Sequence, residues 1–281
     1  MTAGLRAITE LPVRRLTAAD LPAIAALAAD RGWPPEESKW RLMFAVSEPV
    51  GVDDPAGGLA GVVVLTRYGP GLAAIGMMLV AARHGRQGLG RRLMEYALGR
   101  AGGAVVYLSA TDFGRPLYER LGFRTVDRSV TYSGRLAADE PVSARGPDPT
   151  ADLRPILAMD REVFGADRGR VLAELTTFAD RFEVLGDPVA GYAAGWNKDG
   201  TRVIGPLVAT DTAAAARLIG TVAAGWPGPV RLDLLGRHSD LADWATAHGL
   251  AAGEETALMV LGGGLPGDRA RLYCPVTVAI G

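Results

Sequence analysis

The run from Ala73 to Leu98, AAIGMMLVAARHGRQGLGRRLMEYAL, constrains the fold more than any other stretch of the chain. Ile75 to Val80 has the length and make-up of a buried strand, and Leu93, Met94 and Leu98 recur at helical spacing. Between them lies a basic glycine loop, Arg83-His84-Gly85-Arg86-Gln87-Gly88-Leu89-Gly90. Its glycines admit backbone conformations closed to other residues and let a ligand approach main-chain N–H groups without meeting a Cβ. The first turn of the following helix has N–H groups with no intrahelical acceptor, so the corner suits an anion. The alternative reading of the same residues is a plain strand-to-helix turn with solvated arginines.

Spacing separates the kinds of glycine loop. No Lys-Ser or Lys-Thr pair follows the glycines, as a mononucleotide P-loop requires. After Gly88 and Gly90 the third position of a dinucleotide fingerprint is Leu93, not glycine. What remains, a Gly-x-Gly loop behind an apolar strand, resembles the acetyl-CoA pyrophosphate loop of the GNAT superfamily of N-acetyltransferases. The resemblance implies that Gly85, Arg86, Gln87, Gly88, Leu89, Gly90 and Arg91 hold the diphosphate, largely through backbone N–H groups. It also implies that main-chain groups at Met78, Leu79 and Val80 hold the pantetheine arm and polarise the thioester carbonyl.

A second stretch agrees with the first. Residues 104–109 (AVVYLS) form a candidate strand, followed by Thr111-Asp112-Phe113-Gly114-Arg115-Pro116-Leu117-Tyr118-Glu119-Arg120-Leu121-Gly122-Phe123. Pro116 suits the first turn of a helix and Gly122 its end. This is similar to the family's Tyr-Glu-x-x-Gly-Phe motif, whose tyrosine sits near the CoA thiol. Tyr118 is then the implied catalytic acid, and Thr111 stands where the family often has an asparagine that contacts the pantetheine arm.

The remaining composition narrows the function class. The chain has 281 residues and a formal net charge of −1, which argues against a dedicated nucleic-acid binder. A lone cysteine, Cys274, excludes an internal disulfide, and three scattered histidines without cysteine partners give no metal-ligand spacing. No apolar run approaches a membrane span and no signal-peptide core is legible, so a cytoplasmic protein is expected, without metal, nucleic acid or membrane as partner.

Read in order, residues 1–11 are expected to be a flexible tail and Val13–Leu16 an entry strand. Thr17-Ala18-Ala19-Asp20 opens a helix with a capping residue. A second helix is expected over about 36–46. In the family these helices form a wall of the acceptor pocket, which makes Trp33, Glu36, Glu37 and Trp40, with Asp112, candidates for contacting substrate. Strands are expected over 58–67 and 124–132. The linker at 134–149 is rich in Gly, Pro, Ala and charge, and beyond it the order of elements begins again: Thr150-Ala151-Asp152-Leu153 mirrors the first helix start. In this second copy Ala190–Trp196 and Arg202–Val208 read as a strand pair, Asp211 as the cap of a helix over 213–222, Val230–Leu235 as a strand and Leu241–His248 as a helix, while Thr210-Asp211-Thr212 replaces the glycine loop and Ala245 stands in place of Tyr118.

The expected architecture is α+β: two tandem GNAT-like domains, each a mixed, mostly antiparallel sheet flanked by helices, catalytic over 12–133 and degenerate over 150–281. The expected activity is transfer of an acetyl group from acetyl-CoA to a primary amine of a small molecule. A longer acyl donor and a noncatalytic acyl-CoA sensor remain alternatives. No general base is legible, Glu37 and Asp112 being the acids at hand. The second copy could complete the acceptor pocket, form a homodimer or shield a sheet edge.

Overall fold

The computed structural model describes residues 7–34, 36–137, 146 and 148–280. The chain divides into two compact units, Met1–Val106 and Tyr107–Gly281.

The first unit is an antiparallel sheet carrying three helices. Its strands are β1 (Val13–Arg15), β2 (Glu48–Asp53), β3 (Leu59–Arg67) and β4 (Leu72–Val80), hydrogen-bonded in that order. The capping box at Thr17 and Asp20 starts α1 (Leu21–Asp30), followed by α2 (Glu37–Val46) and, after β4, α3 (Leu89–Ala101). Val62, Val63 and Val64 of β3 are buried on both faces of the sheet. α3 rests directly on β3: a Cβ on Gly61 would lie 2.8 Å from Leu93 Cδ1 and 3.3 Å from Leu89 Cδ2. Of the tail expected over 1–11, residues 1–6 lie outside the described residues. Ile8–Glu10 is a 3₁₀ turn against α3, with Ile8 buried.

The second unit starts within β5 (Val105–Ala110) and continues with α4 (Arg115–Arg120), β6 (Arg124–Gly134), α5 (Arg154–Phe164) and α6 (Gly169–Phe178). Next come β7 (Arg181–Leu185), β8 (Gly191–Lys198), β9 (Thr201–Ala209), α7 (Thr212–Ala223), β10 (Val230–Leu235), α8 (Ser239–Ala247), β11 (Ala251–Leu261) and β12 (Leu272–Cys274). Its strands run β5-β11-β6-β10-β9-β8-β7, with β12 paired to β9. Ile204, Leu207, Leu218, Ile219, Leu232 and Leu241 form part of the core, where α7 and α8 cover this sheet.

β6 belongs to the first copy by sequence, yet it lies between β11 and β10, the last long strands of the second copy. Ser129 is opposite both Leu235 and Thr256. The two compact units meet within β5, between Val106 and Tyr107, and the expected linker at 134–149 follows β6. Residues 138–145 and 147 of that linker lie outside the described residues. β2, α6, β7 and β11 are elements for which the sequence reading assigned no structure. The duplication is visible in the ladders: Met77 and Met78 bulge opposite Val63 in the β3–β4 pair, and Gly205 and Pro206 bulge opposite Ala194 in the β8–β9 pair.

A strand with two missing neighbours exposes two rows of unpaired backbone groups. A chain ending at residue 137 keeps β6 without β10 or β11, and it is expected to show no cooperative thermal transition by circular dichroism where the full chain melts cooperatively. A sharp melt of the short chain would show that β6 does not need those neighbours.

Candidate active site

The candidate diphosphate corner lies wholly in the first unit. β4 bends at the Met77–Met78 bulge, where Met77 adopts φ 50°, a left-handed conformation uncommon for a non-glycine residue. Beyond the bulge Leu79 and Val80 rejoin β3 opposite Val62 and Gly61. Met78 and Val80 are half-buried and Leu79 is buried. The chain then makes a 3₁₀ turn, Ala82–His84, and reaches Gly88, whose φ of +85° requires glycine. Gly88 is the N-cap residue of α3, and no side chain caps that end.

This end of α3 is open. The first backbone bond of the helix runs from Arg92 N–H to Gly88 O at 3.0 Å, which leaves the N–H groups of Leu89, Gly90 and Arg91 without an intrahelical acceptor. Arg86 (φ 60°) and Gln87 are exposed on the loop, Gly90 is half-buried and Leu89 is buried against β3. Gln87 turns back, its Nε2 donating to Arg83 O at 3.0 Å. Arg91 is exposed and its Nε donates to Glu95 at 2.7 Å. The corner thus offers backbone donors and the positive end of a 13-residue helix dipole, the chemistry that holds a diphosphate.

Two carboxylates with no signal in the sequence hold the start of the loop. Asp30, the last residue of α1, accepts a hydrogen bond from Ala82 N–H at 2.6 Å. Asp54, in the β2–β3 turn, accepts from Ala56 N–H at 2.8 Å, from His84 Nε2 at 2.5 Å and from Arg83 Nε at 2.8 Å. Burial pushes the Asp54 carboxyl up, but the bonds from Ala56, His84 and Arg83 together hold it below the usual carboxylate range. No signal in a single sequence pairs an aspartate with basic residues about 30 positions away.

Tyr118 lies in the second unit, on α4, 8% exposed. Its ring meets Phe123 edge-on at 6.1 Å, and Gly114 makes room for it: a Cβ there would be 3.1 Å from Tyr118 Cε2. Burial pushes the phenol up to about 12, so it keeps its proton at neutral pH. Thr111 shapes the turn before α4, its carbonyl accepting from Gly114 and Arg115 N–H groups at 3.0 and 2.9 Å.

Each carboxylate named as a substrate contact lies beside a cation. Glu36 pairs with Lys39, Glu37 with Arg41 at 2.6 Å and the exposed Asp112 with Arg115 at 3.4 Å. Trp40 is a core residue, 3% exposed and packed near Phe44, while Trp33 is half-buried. Among the described residues no His, Cys, Asp and Glu side chains gather as a metal ligand set, and no helix is long and apolar enough to cross a membrane.

The second copy differs at the matching corner. Asp211 caps α7, its Oδ1 accepting from Ala214 N–H at 2.8 Å, so a carboxylate already stands at that helix end. At the β9 bulge the chain itself closes in: β12 pairs with β9, and a Cβ on Gly205 would meet Pro275 O at 2.4 Å and Val276 O at 2.7 Å. Ala245 of α8 is fully buried.

Comparison with known proteins places both copies. Residues 43–125 and residues 156–274 each match a family model described as an acetyltransferase (GNAT) domain. Over 268 residues the chain is 27% identical to the Bacillus subtilis protein named "Uncharacterized N-acetyltransferase YitH", covering 91% of this chain and 93% of that one. Among solved structures, a candidate acetyltransferase from Pyrococcus horikoshii matches with a TM-score of 0.81 at 19% identity, over 96% of this chain and 95% of that one. A tandem GNAT protein from the clavulanic acid biosynthesis pathway matches with a TM-score of 0.60 at 16% identity, over 90% and 99% of the two chains. Those two structures show a shared fold.

The Tyr118 hydroxyl has no hydrogen-bond partner among the described residues. Tyr118→Phe is therefore expected to leave the thermal midpoint nearly unchanged. Gly61→Ala, which forces a methyl between β3 and α3, is expected to cost about 1–3 kcal/mol in urea unfolding. A large loss in the first variant would mean the hydroxyl is part of the packing.

Proposed function

The chain belongs to the GNAT acetyltransferases and carries two such domains in tandem, and from that premise we propose that its N-terminal domain alone transfers acetyl groups. The donor is acetyl-CoA and the acceptor a primary amine of a small molecule, with the reaction in the cytoplasm. The observation that carries this reading is the contrast between the two helix ends. The N–H groups at the start of α3 are uncapped behind a left-handed glycine, whereas α7 is capped by its own aspartate. A diphosphate gains charge-assisted hydrogen bonds at the first and meets repulsion at the second. The closing of the Gly205 bulge by Pro275 and Val276 supports the same assignment, since it fills the part of the second copy that matches the Met77–Met78 bend.

The chemistry then falls to few groups of the chain. Backbone N–H groups from Gly85 to Arg91 bind the diphosphate and so orient the thioester. The main chain around Met78, Leu79 and Val80 holds the pantetheine arm and polarises the carbonyl, a preorganised dipole whose effect is largest where water is excluded. The neutral amine attacks that carbonyl carbon, the C–S bond breaks, and the phenol of Tyr118, which burial keeps protonated and whose motif matches the family's proton donor, gives its proton to the sulfur, while the proton shed by the amine passes through water to the phenolate left behind. Glu36, Glu37 and Asp112 are each matched by a neighbouring cation, so the reading assigns the acceptor no extra positive charge.

The test is release of free thiol from acetyl-CoA across a panel of primary amines. Wild-type protein is expected to turn over with at least one amine, and Tyr118→Phe to lower kcat on the order of 10²-fold with the KM for acetyl-CoA nearly intact. An unchanged kcat would remove Tyr118 from the chemistry. Binding without transfer to any amine would favour an acyl-CoA sensor instead.

A further inference from the structure

We propose that Asp54 is a positioning residue for the diphosphate loop, acting through Arg83 and His84. The inference rests on the reading of Gly85–Arg91 as the acyl-CoA site.

Asp54 lies 30 residues upstream of the loop, and its side chain is 2% exposed. One oxygen is used locally: Oδ1 accepts from Ala56 N–H, while Asp54 N–H donates to Gly58 O at 2.9 Å and its own carbonyl accepts from Gly57 N–H at 2.8 Å, so the β2–β3 turn holds the carboxylate rigidly. The other oxygen, Oδ2, faces the 3₁₀ turn and takes both Nε and Nη2 of Arg83, at 2.8 and 2.6 Å, together with His84 Nε2. Two consecutive side chains at the entrance of the loop therefore converge on one buried oxygen. Asp30 takes Ala82 N–H, and Gln87 closes the loop onto Arg83 O. The loop is clamped at 82, 83 and 84, so the glycines after it start from a fixed point and the donors of α3 keep one arrangement whether or not a ligand is bound. Preorganisation of this sort lowers the ordering cost of binding.

The arrangement has an electrostatic cost that makes the proposal testable by sign. A buried carboxylate close to a diphosphate site repels the ligand, and it also engages Arg83, a guanidinium that could otherwise turn toward the phosphates. If charge alone mattered, replacing Asp54 by asparagine would tighten CoA binding, because a negative charge leaves and a cation is released. If Asp54 acts by holding the loop, the same change loosens binding.

The experiment compares wild type, Asp54→Asn and Arg83→Gln, using coenzyme A as the calorimetric probe and acetyl-CoA for kinetics, with a thermal melt of each. The expected result for Asp54→Asn is a Kd for coenzyme A and a KM for acetyl-CoA raised about tenfold, roughly 1.4 kcal/mol, with kcat at saturation within about twofold of wild type. Arg83→Gln removes the same arm from the other end and is expected to move KM in the same direction. If Asp54→Asn does not fold, Asp54→Ser, which removes the same charge, takes its place with the same expectation. Binding that is unchanged or tighter in the folded variants, with wild type binding normally, overturns the role of Asp54 alone. Wild type that does not bind coenzyme A overturns the site itself, and the positioning role with it.

Discussion

The structure of the candidate site depends on one constraint: a helix whose first N–H groups have no partner must meet either its own side chain or something from outside. α3 begins behind Gly88, in a left-handed conformation and with no capping side chain. Leaving such donors without acceptors is unfavourable, and a capping residue is commonly worth about 0.5–2 kcal/mol. The rest of the first unit holds this open end in place. Gly61 lets Leu89 and Leu93 sit on the backbone of β3, the Met77–Met78 bulge turns β4 into the loop, and Asp30 and Asp54 anchor the loop's first turn.

The second copy resolves the same constraint the other way. Asp211 supplies the cap, and β12 with the residues after it fills the region beside the β9 bulge. β10 and β11 provide both neighbours of β6, so the polypeptide that carries Tyr118 on α4 continues into a strand that the second copy completes. Residues 156–274 match a GNAT acetyltransferase domain, although the helix end at the corresponding corner carries its own aspartate cap.

Much of this was legible in the sequence where local chemistry decides structure. The strand, glycine loop and helix over 73–98, the capping box at Thr17 and Asp20, the helix ending at Leu121-Gly122-Phe123 and the acidic cap of α7 all follow from spacing within a few residues. What was hidden is what depends on distant partners. β2 (EPVGVD) carries proline and glycine and gives no strand signal of its own, yet it is held as a strand by β1 and β3. β11 begins with exposed residues and lacks an apolar alternation over its first half, and its pairing with β6 defines it. Trp40 is a candidate substrate contact because the family's first two helices wall the acceptor pocket, whereas its burial in the core is a property of the assembled unit. Asp54 is one of two consecutive aspartates in VDDP. Asp53 forms an exposed pair with Arg14 while its neighbour is buried under the loop, a difference invisible until the β2–β3 turn is built.

Backbone amide hydrogen exchange, read by mass spectrometry with and without coenzyme A, tests the central claim most directly. The account predicts that the ligand slows exchange at amides within 85–91 and leaves those of 211–214 at their unliganded rates. Protection that appears at 211–214, or anywhere else while 85–91 stays unchanged, would contradict it.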